Sequence, residues 1–291
     1  MHLAHQAKQQ VLAIQYLPPL SVTATRLLAL FGNEDLSLKD LSETINQDPG
    51  LSAKVLGLAN SAYFGQSQPV LSVEDAIIRV LGLNMVKSLA FSIALSGVFD
   101  TTRCPGFDLR TYWFDSLTLA VLSRQVGVAM AIDRRPNLDA VYLAGLLSNI
   151  GVLVLAHSFP DAFAEVLHKR NQSHKPPGIL QTECIGLDQN TAGALLADRW
   201  HLPRIIIEVI ERVGKSSDES PEDTDAPVVV RIVDQVAHWL RDEWEQPEME
   251  QVRLQTLSRG SGLSVENLLL IKKGFLLKEE EIKGIAGLLA N

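Results

Sequence analysis

The chain has 291 residues, of which 46% are hydrophobic and 21% charged, and its formal net charge is −8. This composition is typical of a folded globular protein and excludes disorder or a fibrous repeat as the overall description. Lys and Arg are scattered without a basic cluster, which argues against nucleic-acid binding, because such binding depends on neutralising phosphates. Helix-forming residues dominate and no strand-like alternation is visible, so the sequence predicts an all-α fold.

Cap signals place the first helices. Ser37, followed three residues later by Asp40, predicts a helix that ends near residue 47. The Asp48-Pro49 pair predicts the start of the next helix, since Asp caps free backbone N–H groups and Pro suits the first turn. We expect that helix to end near residue 60.

The following segment predicts a loop and two more helices. Residues 65–71 read as an exposed connection. Ser72 and Asp75 form a second capping signature, and the helix that they start should stop at Gly82. Another helix should continue towards residue 98. The break at 101–106 then predicts a boundary between two lobes.

The second lobe is also predicted to be helical. Helices are predicted over 108–130, 138–157, 160 to about 174, 188–200, 203–213, 228–244 and 264–273. Residues 215–226 are predicted to form a polar, acidic loop. The expected organisation is an N-terminal lobe over 1–105, a core lobe over 106–213, an acidic loop over 214–227, and C-terminal helices over 228–291 that pack on the core.

Residues 140–156 carry no charge and approach the length that a membrane-spanning helix requires. The run contains glycine, serine and asparagine, so a buried helix of a soluble bundle is the favoured interpretation, and no membrane association is expected. Cys104 and Cys184 lie far apart and outside any metal-binding spacing, which suits a reducing cytoplasm. The N-terminus shows no signal-peptide pattern, and a cytoplasmic location is therefore expected.

An ordered series of motifs in the first lobe resembles the HDOD family, a branch of the HD phosphohydrolase superfamily found in bacterial signalling proteins. The series consists of residues 17–20, Asp48 and Pro49 at the start of 48–51, Asn60 and Ser61 within 58–65, residues 72–77, and Gly82 at the end of 80–82. Each motif alone carries little information, but their order and spacing match the family. The resemblance implies a two-lobed helical bundle whose second lobe is HD-like.

The second lobe is similar to the HD core at residues 113–116, 144–151, 186–189 and 200–203. Enzymes of that superfamily hold divalent metals with a first His, an adjacent His-Asp pair and a later Asp. In this chain Asp115 stands at the first-His position and Ser148-Asn149 at the His-Asp pair. Gln189 aligns with a further family His, and residues 212–213 (Arg-Val) align with two paired histidines.

These replacements predict that the inherited metal chemistry is lost. Neutral hydroxyl and amide groups cannot replace an imidazole and a carboxylate around a catalytic metal. We therefore expect no metal, no cofactor and no catalytic residue. Asp115, Ser148, Asn149, Asp188 and Gln189 are the candidates to line a vestigial pocket, and most such buried polar groups satisfy each other rather than a ligand.

The resemblance favours a non-catalytic signal-transduction module that binds a signalling protein or a small ligand. The alternative is a weak metal-dependent phosphohydrolase with a rearranged site built on Asp115, Asp188 and a histidine. A nucleic-acid-linked regulator is a third interpretation, against which the acidic charge argues.

Overall fold

A computed structural model describes residues 19–32, 36–61, 68–170, 172–173, 175–213, 226–245 and 250–290. These residues form helices and connecting turns, with no β-strand among them. The prediction of an all-α fold is confirmed. Residues 215–225 of the expected acidic loop and 65–67 of the expected loop lie outside the described residues, and 68–71 form no helix or strand.

The chain divides into two compact units. Described residues of Thr101–Phe107 and Asp115–Leu277 form the central unit, and those of Pro18–Asp100, Asp108–Phe114 and Lys278–Asn291 form the N-terminal unit. The first change of unit falls after Asp100, and the last helix groups with the N-terminal unit. The expected lobe boundaries at 105, 213 and 227 stay a prediction.

The N-terminal unit is built from short helices. In chain order they are α1 (Val22–Ala29) with a 3₁₀ turn (Leu30–Gly32), α2 (Leu38–Asn46), α3 (Pro49–Ala59), α4 (Val73–Asp75) continuing as π-helical turns (Ala76–Leu81), and α5 (Leu83–Ser96). The long helix α6 (Leu109–Ala129) begins in this unit and continues into the central one.

The central unit contains the remaining helices except the last. They are α7 (Leu138–Leu147), α8 (Ile150–Ser158), α9 (Pro160–Arg170), α10 (Pro177–Ile185), α11 (Gln189–Arg199), α12 (Arg204–Arg212), α13 (Val228–Glu245), α14 (Glu250–Ser261) and α15 (Val265–Leu276). The last helix, α16 (Glu279–Ala290), packs against α3 in the N-terminal unit.

Both predicted caps of α2 and α3 are present. The Ser37 hydroxyl accepts a hydrogen bond from the Asp40 backbone N–H at 3.1 Å, and the Asp40 carboxylate accepts one from the Ser37 N–H at 3.3 Å. Asp48 accepts from the N–H of Leu51 at 3.0 Å, and Pro49 is the first helical residue. Local hydrogen-bonding chemistry therefore determines where these two helices begin.

Two other motif residues hold turns. The Asn60 side chain accepts from the Val70 N–H at 2.7 Å and donates to the Val70 carbonyl at 2.8 Å, so it joins the end of α3 to the segment before α4. Gly82 has a φ of +78°, which favours glycine, and its N–H donates to the carbonyl of Ile77 five residues earlier. The predicted stop at Gly82 is thus confirmed, although the π-helical turns before it were not predicted.

The predicted buried helix over 138–157 is interrupted. Helix α7 ends at Leu147 and α8 begins at Ile150, so Ser148 and Asn149 form the junction. Asn149 has φ −96° and ψ 13°, and the Ser148 hydroxyl donates back to the Gly145 carbonyl at 2.8 Å. Ser and Asn side chains compete for backbone hydrogen bonds, which explains the break within an otherwise helical run.

Helices α7 and α8 form the core of the central unit. Leu138–Ser158 is the one stretch in the described chain that is long and apolar enough to cross a membrane, and 72% of its most apolar window is buried in the fold. Helix α7 packs against α12 and α13, and α8 packs against α9 and α11. This burial supports the interpretation of the stretch as a core element.

The helix α10 was not predicted. The sequence predicts a helix over 160 to about 174 and none directly after it, but Pro177 occupies the first turn of α10. Proline is accommodated there because the first-turn N–H groups have no helical partner. The preceding helix, α9, has already ended at Arg170, so the prolines mark the start of α10.

We expect Gly151→Ala to destabilise the protein. An added Cβ would meet the Gln189 carbonyl oxygen and come within 2.8 Å of the Gly193 nitrogen, so backbone would have to move. Overpacking of this kind costs about 3 kcal/mol of unfolding free energy. Urea denaturation followed by far-UV circular dichroism measures the loss.

Gly57→Ala is the matched control. Nothing lies within 4 Å of its added Cβ, and Gly57 is an exposed residue in the interior of helix α3. It should stabilise the chain by about 0.5–1 kcal/mol, as expected for Gly in a helix interior. Equal denaturation curves for the Gly151 variant and the unmodified protein would contradict the packing argument.

Candidate functional site

The five site residues predicted from the sequence all lie in the central unit. Asp115 is on α6, Ser148 and Asn149 form the α7–α8 junction, Asp188 caps the N-terminus of α11, and Gln189 is its first helical residue. The site is thus assembled from three separate parts of the chain.

Close backbone contacts bring two of these parts together. Gly151, two residues after the junction, lies against the Gln189 carbonyl group and against Gly193 on α11. Glycine is required at this crossing because any side chain on Gly151 would collide with the Gln189 backbone. The packing therefore holds the Ser148-Asn149 junction next to the start of α11.

A second tight crossing brings α6 to the same region. A Cβ on Gly145 would lie 2.8 Å from the Ala120 Cα. The connection between α6 and α7 is short, so the two helices run roughly antiparallel. Ser116 lies one turn before Ala120, and Ser148 lies one turn after Gly145. Along the axes of the two antiparallel helices, both serines therefore lie in the same direction from the Gly145–Ala120 contact.

The polar groups at the junction and on α11 are used in local structure. Both Asp188 oxygens accept from Thr191, from its N–H at 2.8 Å and from its hydroxyl at 3.0 Å. The buried Gln181 side chain accepts from the Gln189 N–H at 2.8 Å and donates to the Gln189 side-chain oxygen at 2.9 Å. These bonds stabilise helix ends, and both Asp188 oxygens are used to cap the N-terminus of α11.

Two buried amides were missed by the sequence reasoning. Gln181 pairs with Gln189 as described above. Asn190 donates to the Ile210 carbonyl at 2.7 Å and to the Val213 carbonyl, and so ties the start of α11 to the end of α12. A polar residue within an apolar helical face was the available signal, but its partner lies twenty residues away in the sequence.

The residues aligned with the paired histidines do not offer ligands. Arg212 places its Nε 3.7 Å from an Asp234 carboxylate oxygen, and Val213 is buried in the core. The other Asp234 oxygen lies 3.6 Å from the His238 ring. A guanidinium repels a metal cation, and an apolar side chain cannot coordinate one.

Asp115 has the most perturbed charge in the site. Its side chain reaches solvent, yet desolvation by the surrounding protein raises the pKa of Asp115 to about 6, and the positive charge of Arg170 opposes that rise. A bound divalent cation would instead favour the ionised form. Arg170 lies at the end of α9 and provides a fixed positive charge from the protein itself.

The donor set does not fit a catalytic metal. Among the described residues, no group of three or more His, Cys, Asp or Glu side chains could hold a metal ion. Asp188 is committed to a cap, and the two residues at the His-Asp position are neutral.

The family model of the HDOD domain matches residues 17–216 of the chain. This chain belongs to the HDOD family. The matched region includes the motif series of the first lobe and all five candidate site residues. The resemblance inferred from those motifs is confirmed.

Three proteins to which the chain is similar come from different organisms. An uncharacterised protein of Treponema pallidum is 27% identical over 210 residues, and the match covers 72% of this chain but 40% of that protein. A structure from Marinobacter aquaeolei VT8, provisionally named a signal transduction protein, is 26% identical with a TM-score of 0.81. The match covers 100% of this chain and 67% of the Marinobacter chain. The present chain thus spans less than half of the Treponema protein.

A third relative comes from Shewanella amazonensis SB2B and is provisionally named a phosphohydrolase. It is 23% identical, with a TM-score of 0.72 and 98% of both chains covered. At this identity the similarity establishes a shared fold. HDOD-type folds therefore occur in proteins named for signalling and in proteins named for hydrolysis.

We expect Asp115→Asn to raise the free energy of unfolding near neutral pH. With a pKa of about 6 in the folded chain and about 4 in the unfolded chain, Asp115 holds its proton more tightly when folded. Stability therefore falls as the pH rises between these two values, and the neutral amide avoids that loss. The gain should be modest, because solvent screens a partly open carboxylate, and it should vanish as the pH falls to about 4.

Asp108→Asn is a control of opposite sign, because hydrogen bonds from Thr111 and the Arg110 N–H lower the pKa of Asp108. That variant should lose stability at neutral pH and approach the unmodified protein in acid. Carboxyl NMR titration gives the Asp115 pKa directly, and Arg170→Ala should raise it further. An Asp115 carboxyl that titrates near its ordinary value would refute the desolvation argument.

Proposed function

We propose that this HDOD protein is a non-catalytic regulatory module of signal transduction that acts by binding, with a signalling protein as its principal partner. Family membership and the similarity to the Marinobacter protein named for signal transduction support this role. The proposal also includes a cytoplasmic location. The buried position of the most apolar stretch is compatible with a soluble protein.

One observation carries the proposal against catalysis. Ser148 and Gln189 align with histidines of the HD core, and their side chains make bonds that stabilise this chain's own helices. Ser148 bonds to Gly145, and Gln189 bonds to Gln181. A group committed to the backbone of its own fold is poorly placed to coordinate a metal, since it would have to break that bond first.

The electrostatics support the same conclusion. A catalytic metal site concentrates negative charge to offset the cation. In this chain Asp115 faces the opposing charge of Arg170, and Arg212 stands at a former histidine position. Arg170, a fixed cation of the protein, therefore offsets part of the Asp115 charge.

Metal analysis and turnover assays test this proposal. Protein purified without chelator should carry no stoichiometric Mg, Mn, Fe or Zn, because the donor set is neutral or engaged. Hydrolysis of nucleotides and cyclic dinucleotides should not exceed that of Asp115→Ala. Titration of Asp115 should also remain unchanged when Mg²⁺ is added, since a bound cation would lower its pKa.

The control variant is Asp133→Ala, which removes an exposed carboxylate elsewhere in the central unit. Stoichiometric metal, together with turnover that Asp115→Ala abolishes and Asp133→Ala preserves, would establish a phosphohydrolase instead. The naming of the Shewanella neighbour makes hydrolysis the relevant rival.

A small polar ligand is a second candidate occupant of the site. The Ser116 hydroxyl is fully buried next to Asp115 and makes no hydrogen bond within the described residues. Buried hydroxyls without partners are uncommon, because the unmade bond costs free energy. A ligand that reached Ser116 would satisfy this group.

Thermal unfolding with nucleoside monophosphates and inorganic phosphate tests ligand binding. Binding to the folded state should raise the melting temperature with ligand concentration. Ser116→Ala should reduce that increase while leaving the ligand-free melting temperature unchanged or higher, since it removes an unpaired hydroxyl. The same increase in both proteins would place the ligand elsewhere, and no increase with any of these compounds would reject them as ligands.

A further inference from the structure

Helix α15 presents an apolar face to solvent. Its inward side buries Leu268 and Phe275 in the central unit. On the opposite side Leu270 is 65% exposed and Leu277, which follows the helix, is 79% exposed. On the flank, Leu269 is 44% and Leu276 49% exposed. Exposed leucines repeated on one helix face indicate a binding surface rather than isolated surface residues.

Charged residues alternate with the leucines along this face. Glu266 and Lys273 are exposed at spacings of four and three residues from Leu270, which places all three on the outward side of the helix. Neither side chain forms an ion pair within the part of the chain that the structure describes. The outward stripe therefore reads, in order, Glu266, Leu270, Lys273 and Leu277, and is called here the α15 stripe.

The order of charges makes the α15 stripe of one copy complementary to the α15 stripe of a second copy that runs in the opposite direction. If two copies pair antiparallel with Leu270 meeting Leu270 at the two-fold axis, Glu266 of each copy lies close to Lys273 of the other. The axial offset between the paired charges is about one residue, or about 1.5 Å. A parallel pairing would instead place like charges together, which is unfavourable.

We propose that the α15 stripe is a self-association surface through which two copies of this chain form an antiparallel two-fold dimer. The occupant is thus a second copy, whose leucines cover the exposed leucines and whose charges pair with Glu266 and Lys273. Because one short helix face is smaller than a standard interface, the dimer is reversible and in the micromolar range or weaker. This inference is independent of the proposed binding function.

Sedimentation equilibrium across a wide concentration range tests the dimer. Leu270→Glu places two carboxylates at the two-fold axis and removes two apolar contacts, so dimerisation should weaken by more than about a hundredfold. Leu71→Glu is the matched control, since Leu71 is 81% exposed but belongs to the N-terminal unit. It should leave self-association unchanged, and both substitutions lie outside the core.

Charge reversal separates this dimer from other modes of association. Glu266→Lys alone and Lys273→Glu alone each create two like-charge contacts, and each should weaken the dimer by about tenfold. The double variant restores both pairs and should recover the original affinity. High salt should weaken the unmodified dimer as well, because exposed charge pairs are screened.

Disulfide trapping gives the geometry. With Cys184 replaced by Ser, Leu270→Cys should cross-link two copies on oxidation, and Leu71→Cys should not, because only the former places two Cβ atoms near one axis. A chain that remains monomeric throughout overturns the proposal. So does a dimer that survives Leu270→Glu, or one for which the double charge reversal fails to restore affinity.

Discussion

The crossing of α8 over α11 depends on two residues without side chains. Gly151 and Gly193 let the two backbones approach until the Gln189 carbonyl lies against Gly151. This contact positions the α7–α8 junction, the cap of α11 and, through Asn190, the end of α12. Since these elements contribute nearly all of the candidate site, its geometry depends on a backbone contact more than on any polar interaction.

The polar residues around this crossing form local bonds at two positions that align with histidines of the HD core. Ser148 and Gln189 each have a structural role there. Ser148 bonds within α7, and Gln189 completes an amide pair with the buried Gln181. In the proposed function, these local bonds stabilise the scaffold that a bound cation and its ligands would otherwise hold together.

Asp115 differs from the other site residues because its environment opposes its ionisation. Desolvation raises its pKa to about 6, while Arg170 acts in the other direction. A carboxyl with this pKa changes charge close to physiological pH, whereas an exposed aspartate does not. The charge of Asp115 therefore depends on pH in this range.

The sequence by itself determined the local features of this protein. The caps at Ser37 and Asp48, the stop at Gly82 and the helical class depend on neighbouring residues, so they were predictable. The HDOD motif series and the residues that align with the HD ligand positions could be read from the sequence for the same reason, since both depend on residue identity at spaced positions.

Only the tertiary structure decided the rest. The break at Ser148-Asn149, the Gln181–Gln189 pair and the raised pKa of Asp115 depend on contacts between residues far apart in the chain. The packing of α16 against α3 and the outward orientation of Leu270 are of the same kind. An apolar helix face looks identical in sequence whether it is buried or exposed, because burial depends on which other elements cover it.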